Sequence, residues 1–367
     1  MTKPSKSKTR ISAAPKSAGT ALLSRSCPPS AEAGEKITLA HGAGGRHMHR
    51  LIHEIFRPAF KDASLDLAHD GALLDAQKGR LAFTTDSFVI RPLFFPGGDI
   101  GSLSVHGTAN DLAMCGAEPL YLSCACILEE GFPISDLGRI AQSIGRTAKA
   151  AGMRIVTGDT KVVERGKGDG VYLNTAGVGA VRFARPVTPS SIREGDVLIV
   201  SGDVGRHGAA VLSVREGLAF ETALLSDAEL LWPQVRALLD AGVDVHCLRD
   251  LTRGGLATAL NELAQSSGLG ILIEEESVPI NGDVASACEV FGLDPLYMAC
   301  EGRFAAFVPE HDAQKAVDAL QGPCRAHPPA RIGSVIGEHK GSVRMRTRIG
   351  VERILDMLAG EQLPRIC

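Results

Sequence analysis

Leu81-Ala82-Phe83-Thr84-Thr85-Asp86 reads as a short strand that ends directly on a carboxylate. The figure recurs. Arg154-Ile155-Val156-Thr157 runs into Gly158-Asp159-Thr160-Lys161, and Val243-Asp244-Val245-His246-Cys247 leads to Arg249-Asp250-Leu251-Thr252-Arg253-Gly254-Gly255. Between these lie further strand-like segments, Leu120 to Ile127, Val171 to Val181 and Asp196 to Gly202. Helical spacing separates them. Leu137, Ile140, Ala141, Ile144 and Ala148 share one face, and Leu256, Leu260 and Leu263 another. A helix through Leu51, Ile52, Ile55 and Phe56 is expected to stop at Pro58. Strands and helices thus interleave throughout, which places the chain in the mixed α/β or α+β class. Arg185 to Ser191 has the composition of an interdomain linker. The expected organisation is a first domain over 36–184, a second over 192–350 and a mobile, polar tail over 351–367.

Residues 1 to 35 differ from the rest. They are rich in Ser, Ala, Pro and Lys and carry no acid before Glu32, and Pro15, Pro28 and Pro29 interrupt any amphipathic helix there. A disordered extension is the expectation.

Composition narrows the function. The 367 residues are 44% apolar and 22% charged, an ordinary globular balance. One Trp and three Tyr are too few for a stacking surface, and a net charge of -3 leaves no electrostatic footprint for nucleic acid. No apolar run approaches the roughly 20 residues of a membrane helix. The nine cysteines contain no C-x-x-C pair. Cys115, Cys124, Cys126, Cys247, Cys288 and Cys300 sit in apolar surroundings and are expected in the core, as reduced thiols of a cytoplasmic protein.

The chemistry-bearing residues are the acids at polar turns, Asp86, Asp159 and Asp250, together with Asp111 in the Asn110-Asp111 pair. Converging hard oxygens of this kind suit Mg²⁺ with substrate phosphates. Singly, each also suits a cap or a turn. Glycine-rich turns at Gly42 to Gly45, Gly97-Gly98 and Gly254-Gly255 can bring backbone N–H groups to phosphate oxygens, though none is a Walker A or dinucleotide fingerprint. The chain ends in Pro364-Arg365-Ile366-Cys367. A terminal thiol on a short arm suits a carrier of a covalently bound group; the bland reading is an incidental cysteine on a frayed end. A lipid anchor is the weaker expectation, because the cysteine is not followed by the residues that a prenylation box needs.

Longer stretches carry a resemblance. They are Thr84 to Phe88, Phe94 to Gly101, Gly107 to Met114, Gly158 to Val163, Arg249 to Gly255, Cys300-Glu301-Gly302 and the terminal Pro-Arg-Ile-Cys. Together they resemble the HypE family of hydrogenase-maturation carbamoyl dehydratases, within the aminoimidazole-ribonucleotide-synthetase-like ATP-binding superfamily. The resemblance runs from about residue 36 to the end. It implies a two-domain fold around an ATP cleft and a homodimer built through the first domains. It also implies a carbamoyltransferase partner of the HypF family that loads Cys367. ATP-dependent dehydration to a thiocyanate follows, with delivery of cyanide to a HypC-HypD scaffold for the [NiFe]-hydrogenase iron.

Carried over residue by residue, Asp86, Asp111, Asp159 and Asp250 become the Mg²⁺ and ATP-phosphate set. Asn110, Gly44, Gly98 and Gly254 join them as nucleotide-binding positions. Cys367 becomes the carrier, Lys161 the cation or proton relay, and Glu301 the base toward the thiocarbamate nitrogen, its pKa raised by partial burial. The open alternatives are a Lys161–Glu164 surface pair and a structural Glu301–Arg303 pair. His207 is left between the domain interface and a phosphate. Selenophosphate synthetases would want a reactive Cys or selenocysteine in the first glycine-rich segment, and His41 to Gly45 has none. A nucleotide-binding scaffold without chemistry would need neither Lys161 nor Glu301.

Overall fold

The computed structural model describes residues 35–67, 70–217, 224–324, 326–358, 360 and 366–367. The extension expected over 1–35 and the tail residues Pro364 and Arg365 therefore lie outside the described residues, Glu35 apart.

The first half opens with α1 (Arg46–Leu51) and α2 (Arg57–Phe60), joined by a widened π turn over Ile52–Phe56. Pro58 does not end this helix. It sits in the first turn of α2, where a missing N–H is tolerated, and the chain stays helical to Phe60. Next come β1 (Leu81–Phe88), a small ribbon of β2 (Phe94–Phe95) and β3 (Gly98–Asp99), and α3 (Ile100–Met114). The half closes with β4 (Ala117–Glu129), α4 (Ile134–Ala150), β5 (Arg154–Val163) and β6 (Val171–Val181). Helix α3 starts on a capping box: the Asp99 carboxylate accepts from the Ser102 N–H (2.9 Å), and the Asp99 N–H donates to Ser102 Oγ (3.0 Å).

The sheet has the order β1-β6-β4-β5, with only β4 and β5 parallel. Alternation decides its two faces. Ala82, Leu122, Cys124, Leu128 and Leu173 point to α3 and α4 and form one core with Leu103, Leu112, Leu137, Ile140 and Ile144. The register sets Phe83 beside Val178, and Ile127 beside Lys161, on the opposite face. That face is open: Leu81, Phe83 and Ile127 are 55%, 71% and 42% exposed.

Two strands run further than the sequence suggests. β1 continues through Asp86 to Phe88, and β5 through Asp159 and Lys161 to Val163. These acids and the lysine are strand residues, not strand-end residues, because their hydroxyl, glycine and valine neighbours go on pairing across the sheet.

The second half comprises β7 (Asp196–Val200), α5 (Arg206–Arg215), α6 (Trp232–Asp240), β8 (Cys247–Asp250), α7 (Gly255–Ser267), β9 (Gly270–Glu274) and α8 (Gly282–Phe291). It ends with β10 (Phe304–Pro309), α9 (Ala313–Gln321), β11 (Ala330–Ile336), β12 (Val343–Arg346) and β13 (Glu352–Ile354). The sheet order is β13-β12-β9-β11-β7-β10-β8, and β9–β12 is its parallel pair. Both faces are covered. Leu198, Val200, Ala305 and Phe307 pack with α7, while Val197, Ile199, Phe304 and Ala306 pack with α6 and α9. That double burial explains why β7 and β10 are unbroken apolar runs.

The expected mobile tail over 351–367 is corrected in the parts described. β13 pairs with β12, Leu355 is fully buried, and its N–H donates to the Val343 carbonyl (2.9 Å). Cys115 is likewise not a core residue: it follows α3 and is exposed, whereas Cys124, Cys126, Cys247, Cys288 and Cys300 are buried.

Candidate active site

Helix α3 is the pivot of the site, because it packs on β1 and β6 of the first sheet and also on β8 and α6 of the second half. Near its C-terminal end it carries Asp111, whose Oδ2 accepts from the Thr84 hydroxyl of β1 (2.8 Å). Asp86 lies two residues along β1 from Thr84, on the same face, and Asp250 ends β8. The three carboxylates repel one another. Burial first, then Asp111, pushes the Asp86 pKa up. Burial raises Asp111 against its Thr84 hydrogen bond. Asp250 is pushed up to about 7 by burial, with Asp111 and Asp86 adding to it.

Arg253 supplies the nearest exposed cation. Its guanidinium lies 3.9 Å from Asp86 Oδ1 and is 78% exposed. Its backbone is left-handed (φ 52°), a conformation that costs a non-glycine residue about 1–3 kcal/mol and that clusters at functional sites. Gly255, two residues on, needs to be glycine. Its φ is +65°, and a β-carbon there would stand 2.5 Å from the Met298 carbonyl oxygen.

Glu301 enters from the turn before β10. It is 3% exposed, and its Oε1 has no hydrogen-bond partner. Burial comes first, then Asp250, Asp227, Asp86 and Asp111, and together they hold its pKa well above the usual carboxylate range. Burial is thus nearly complete rather than partial. The Glu301–Arg303 pair does not form. Arg303 donates instead to Glu229 Oε1 (2.7 Å), the Gly302 carbonyl (2.7 Å) and Asp203 Oδ1 (3.2 Å). The Glu301 N–H is fixed by Asp227 Oδ1 (3.1 Å), so a buried Arg303–Asp203–Glu229 network and Asp227 shape the turn that aims Glu301.

The end of the chain is docked into this arrangement. Ile366 is 7% exposed and packs in the core of the first half, with Cys367 against it. The Val89 N–H donates to the terminal backbone oxygen of Cys367 (3.2 Å), and the buried His207 Nε2 lies 2.7 Å from the Ile366 carbonyl oxygen. Burial pushes the Cys367 thiol far up. Glu301, Asp86 and Asp250 add to that rise, and Arg253 opposes it. Those four charged groups act on the sulfur electrostatically.

Asp86, Asp111, Asp250, Glu301 and Cys367 are therefore brought together, and other positions are not. Among the described residues, no three His, Cys, Asp or Glu side chains stand ready as a metal cage, Asp86, Asp111 and Asp250 included; Asp159 does not join them, because it shares the open face of β5 with Lys161. Asp159 and Lys161 instead lie 3.8 Å apart on the open side of β5. Asp159 edges a cleft lined by Met48, Ile52, Phe56 and Phe60. Lys161 pairs with Asp159 rather than Glu164, and the sheet itself separates it from Glu301.

Asn110 is also corrected. Its Nδ2 donates to the Glu229 (3.0 Å) and Glu301 (3.2 Å) carbonyls, and its Oδ1 accepts from the Leu231 N–H (2.8 Å). With both Nδ2 donors and one Oδ1 lone pair engaged by backbone, it clamps α3 to the turn carrying Glu301 and has no donor left for a phosphate. Gly98 packs against the Phe95 ring and Gly254 against Thr258, whereas Gly44 faces open space. Arg253 is the site residue that strand-end reasoning passed over, with the turn before a Gly-Gly pair as the available signal; His207, left open between the domain interface and a phosphate, instead meets the Ile366 carbonyl.

This fold and site define an AIR synthase-related protein: residues 68–181 match the N-terminal domain of that family and residues 193–346 its C-terminal domain. Narrower relatives share most of the chain. The carbamoyl dehydratase HypE of Azotobacter vinelandii is 49% identical over 335 residues, 90% of this chain and 97% of that one. A crystal structure of the hydrogenase maturation protein HypE in complex with ATP superposes with a TM-score of 0.86 at 46% identity, covering 90% and 99% of the two chains. A HypE-HypF complex structure gives a TM-score of 0.73 at 42% identity, covering 84% and 99%. The chain belongs to the HypE carbamoyl dehydratase family.

Proposed function

We propose that this chain dehydrates a carbamoyl group carried on its own Cys367, using ATP, and so supplies cyanide for the iron centre of a [NiFe]-hydrogenase. The observation that carries the reading is the docked chain end: Ile366 is in the core, the Val89 N–H holds Cys367, and the sulfur is within electrostatic reach of Glu301, Asp86, Asp250 and Arg253. A thiolate is disfavoured in that seat, whereas a neutral thiocarbamate on the same sulfur carries no charge to desolvate. Loading thus belongs to a free tail, and dehydration to the docked one.

The atoms balance in two stages. The carbamoyl oxygen attacks the γ-phosphorus of ATP, one N–H proton leaves, and an S-linked imidate phosphate and ADP result. Phosphate then departs with the original carbamoyl oxygen, the second N–H proton leaves, and the sulfur carries C≡N. Phosphorylation turns a poor leaving oxygen into a good one. Glu301 is the acceptor for the nitrogen protons, and its unpartnered Oε1 supports that role. Arg253 faces the transferring phosphoryl group.

Asp86, Asp111 and Asp250 fit Mg²⁺, since they are hard oxygen donors whose mutual repulsion a cation relieves. When bound, the ion would supply positive charge beside the phosphates and offset the carboxylate charge that raises the Glu301 pKa. Gly254 lies in the turn after Asp250, beside this set, and Gly98 in the ribbon before α3.

A homodimer forms through the open face of the first sheet. Exposed Leu81, Phe83 and Ile127 need cover, and Lys161 and Asp159 share their face. A second copy packed there sets its Lys161 and Asp159 against the same sheet face of the first copy. The external partners are a HypF-family carbamoyltransferase, which loads the thiol, and a HypC-HypD complex, which accepts cyanide. Among the described residues no helix is long and apolar enough to cross a membrane, and the described cysteines are free thiols, which fits a reducing, cytoplasmic setting.

The test is intact mass after incubation with carbamoyltransferase, carbamoyl phosphate and ATP. The expected product is a carbamoyl adduct that loses one water only with hydrolysable ATP and is absent from Cys367→Ala. An adduct that never dehydrates reduces the chain to a carrier, and no adduct on Cys367 overturns the reading.

A further inference from the structure

We infer that His207 is the latch that holds the C-terminal tail in the docked position. Its ring is wholly buried and committed at both nitrogens. Nε2 stands 2.7 Å from the Ile366 carbonyl oxygen, and Nδ1 stands 2.8 Å from Ser226 Oγ. A carbonyl can only accept, so Nε2 carries the proton, and Nδ1 then accepts from the Ser226 hydroxyl. Ser226 is itself fixed: its N–H donates to the Pro96 carbonyl (2.9 Å), and its Oγ accepts from the Ala228 N–H (3.1 Å). The Phe95 ring meets the imidazole edge-on at 5.4 Å and closes off its remaining side. Tautomer and orientation are thus both set for one purpose, a single hydrogen bond to the residue just before Cys367.

That bond has leverage because the described tip of the tail has few other polar holds. Ile366 contributes one buried side chain, and Val89 one longer hydrogen bond to Cys367. A sulfur that must be reached by a loading partner and then returned to the site calls for a hold of moderate strength. A single well-aligned hydrogen bond in a dry pocket supplies it. His207 touches neither the sulfur nor the acids, so it is a positioning residue.

The experiment is alkylation of the full-length protein by a thiol reagent, followed on the C-terminal peptide. The exposed Cys115 serves as internal standard. His207→Ala is expected to speed modification of Cys367 about tenfold, the scale of one buried hydrogen bond, with Cys115 unchanged. His207→Gln retains a side-chain N–H donor and is expected to recover much of the protection. In single turnover from preloaded carbamoyl-Cys367, His207→Ala is expected to slow dehydration about tenfold while loading by the carbamoyltransferase is undiminished. This last arm rests on the dehydratase reading, whereas alkylation does not, so the two failures are distinguishable. Equal Cys367 reactivity in wild type and His207→Ala overturns the latch, as does a Gln variant no better than Ala. If His207→Ala does not fold, Ser226→Ala frees the tautomer instead. Faster Cys367 alkylation there supports the latch, and an unchanged rate refutes it.

Discussion

Replacing Asn110 by Ala removes a clamp, not a nucleotide contact, and the size of the effect follows from its partners. Two backbone carbonyls, of Glu229 and Glu301, lose their donor, and the Leu231 N–H loses its acceptor. Each net bond is worth about 1 kcal/mol, and buried groups left unmade cost more, so Asn110→Ala should cost about 3 kcal/mol. Asn110→Asp should cost at least as much at neutral pH, because an oxygen would face two carbonyl oxygens at the distances the amide now spans. The assay is built in. The chain has a single tryptophan, Trp232, next to Leu231 at the start of α6. Urea unfolding followed by its fluorescence should show a lower midpoint, and the native emission itself should shift as the Leu231–Trp232 turn loosens. A variant within about 1 kcal/mol of wild type with unaltered native emission would refute the clamp and return Asn110 to the nucleotide site.

Three further outcomes are expected. Arg253→Gly relieves a left-handed residue, so it should gain about 1 kcal/mol in denaturant titrations while dehydration falls at least tenfold; loss of both stability and activity would contradict the assignment. Phe83→Asp on the open face should convert a dimer to a monomer in light scattering while the circular dichroism spectrum stays unchanged; an unchanged dimer mass would count against the shared face. Asp62 binds Arg154 through two bonds (2.8 and 3.0 Å), which hold its pKa at about 2. A depressed carboxylate stabilises above its ordinary pKa of 3.8 and loses that contribution as pH falls through about 2. With Arg154 half exposed, Asp62→Asn should cost about 1 kcal/mol near neutrality and nothing at about pH 2, read from urea midpoints at both.

Much of this site is legible in the sequence because its chemistry is carried by side-chain type. The acids Asp86, Asp111 and Asp250, the lone Glu301 in an apolar stretch and the terminal Cys367 stand out without coordinates. What escaped notice depends on partners far along the chain. Asn110 resembles a ligand until its amide is seen meeting backbone 119 and 191 residues away. His207 could be singled out but not assigned, because it meets the tail 159 residues away. Lys161 illustrates a different gap. Reading Gly158-Asp159 as the end of a strand discards the alternation that continues through it, and it is this alternation that puts Lys161 on the face opposite Asp111. The tail's docking was hidden by its polar composition, whereas two residues at its tip do the anchoring.

The central claim is that ATP activates the carbamoyl oxygen while Cys367 lies docked beside Glu301. The most direct measurement loads Cys367 with carbamoyl labelled at oxygen with ¹⁸O, adds ATP for one turnover and follows the label by mass spectrometry. The account predicts that the ¹⁸O appears in inorganic phosphate as the sulfur acquires its nitrile. Label released as water, with unlabelled phosphate, would contradict it.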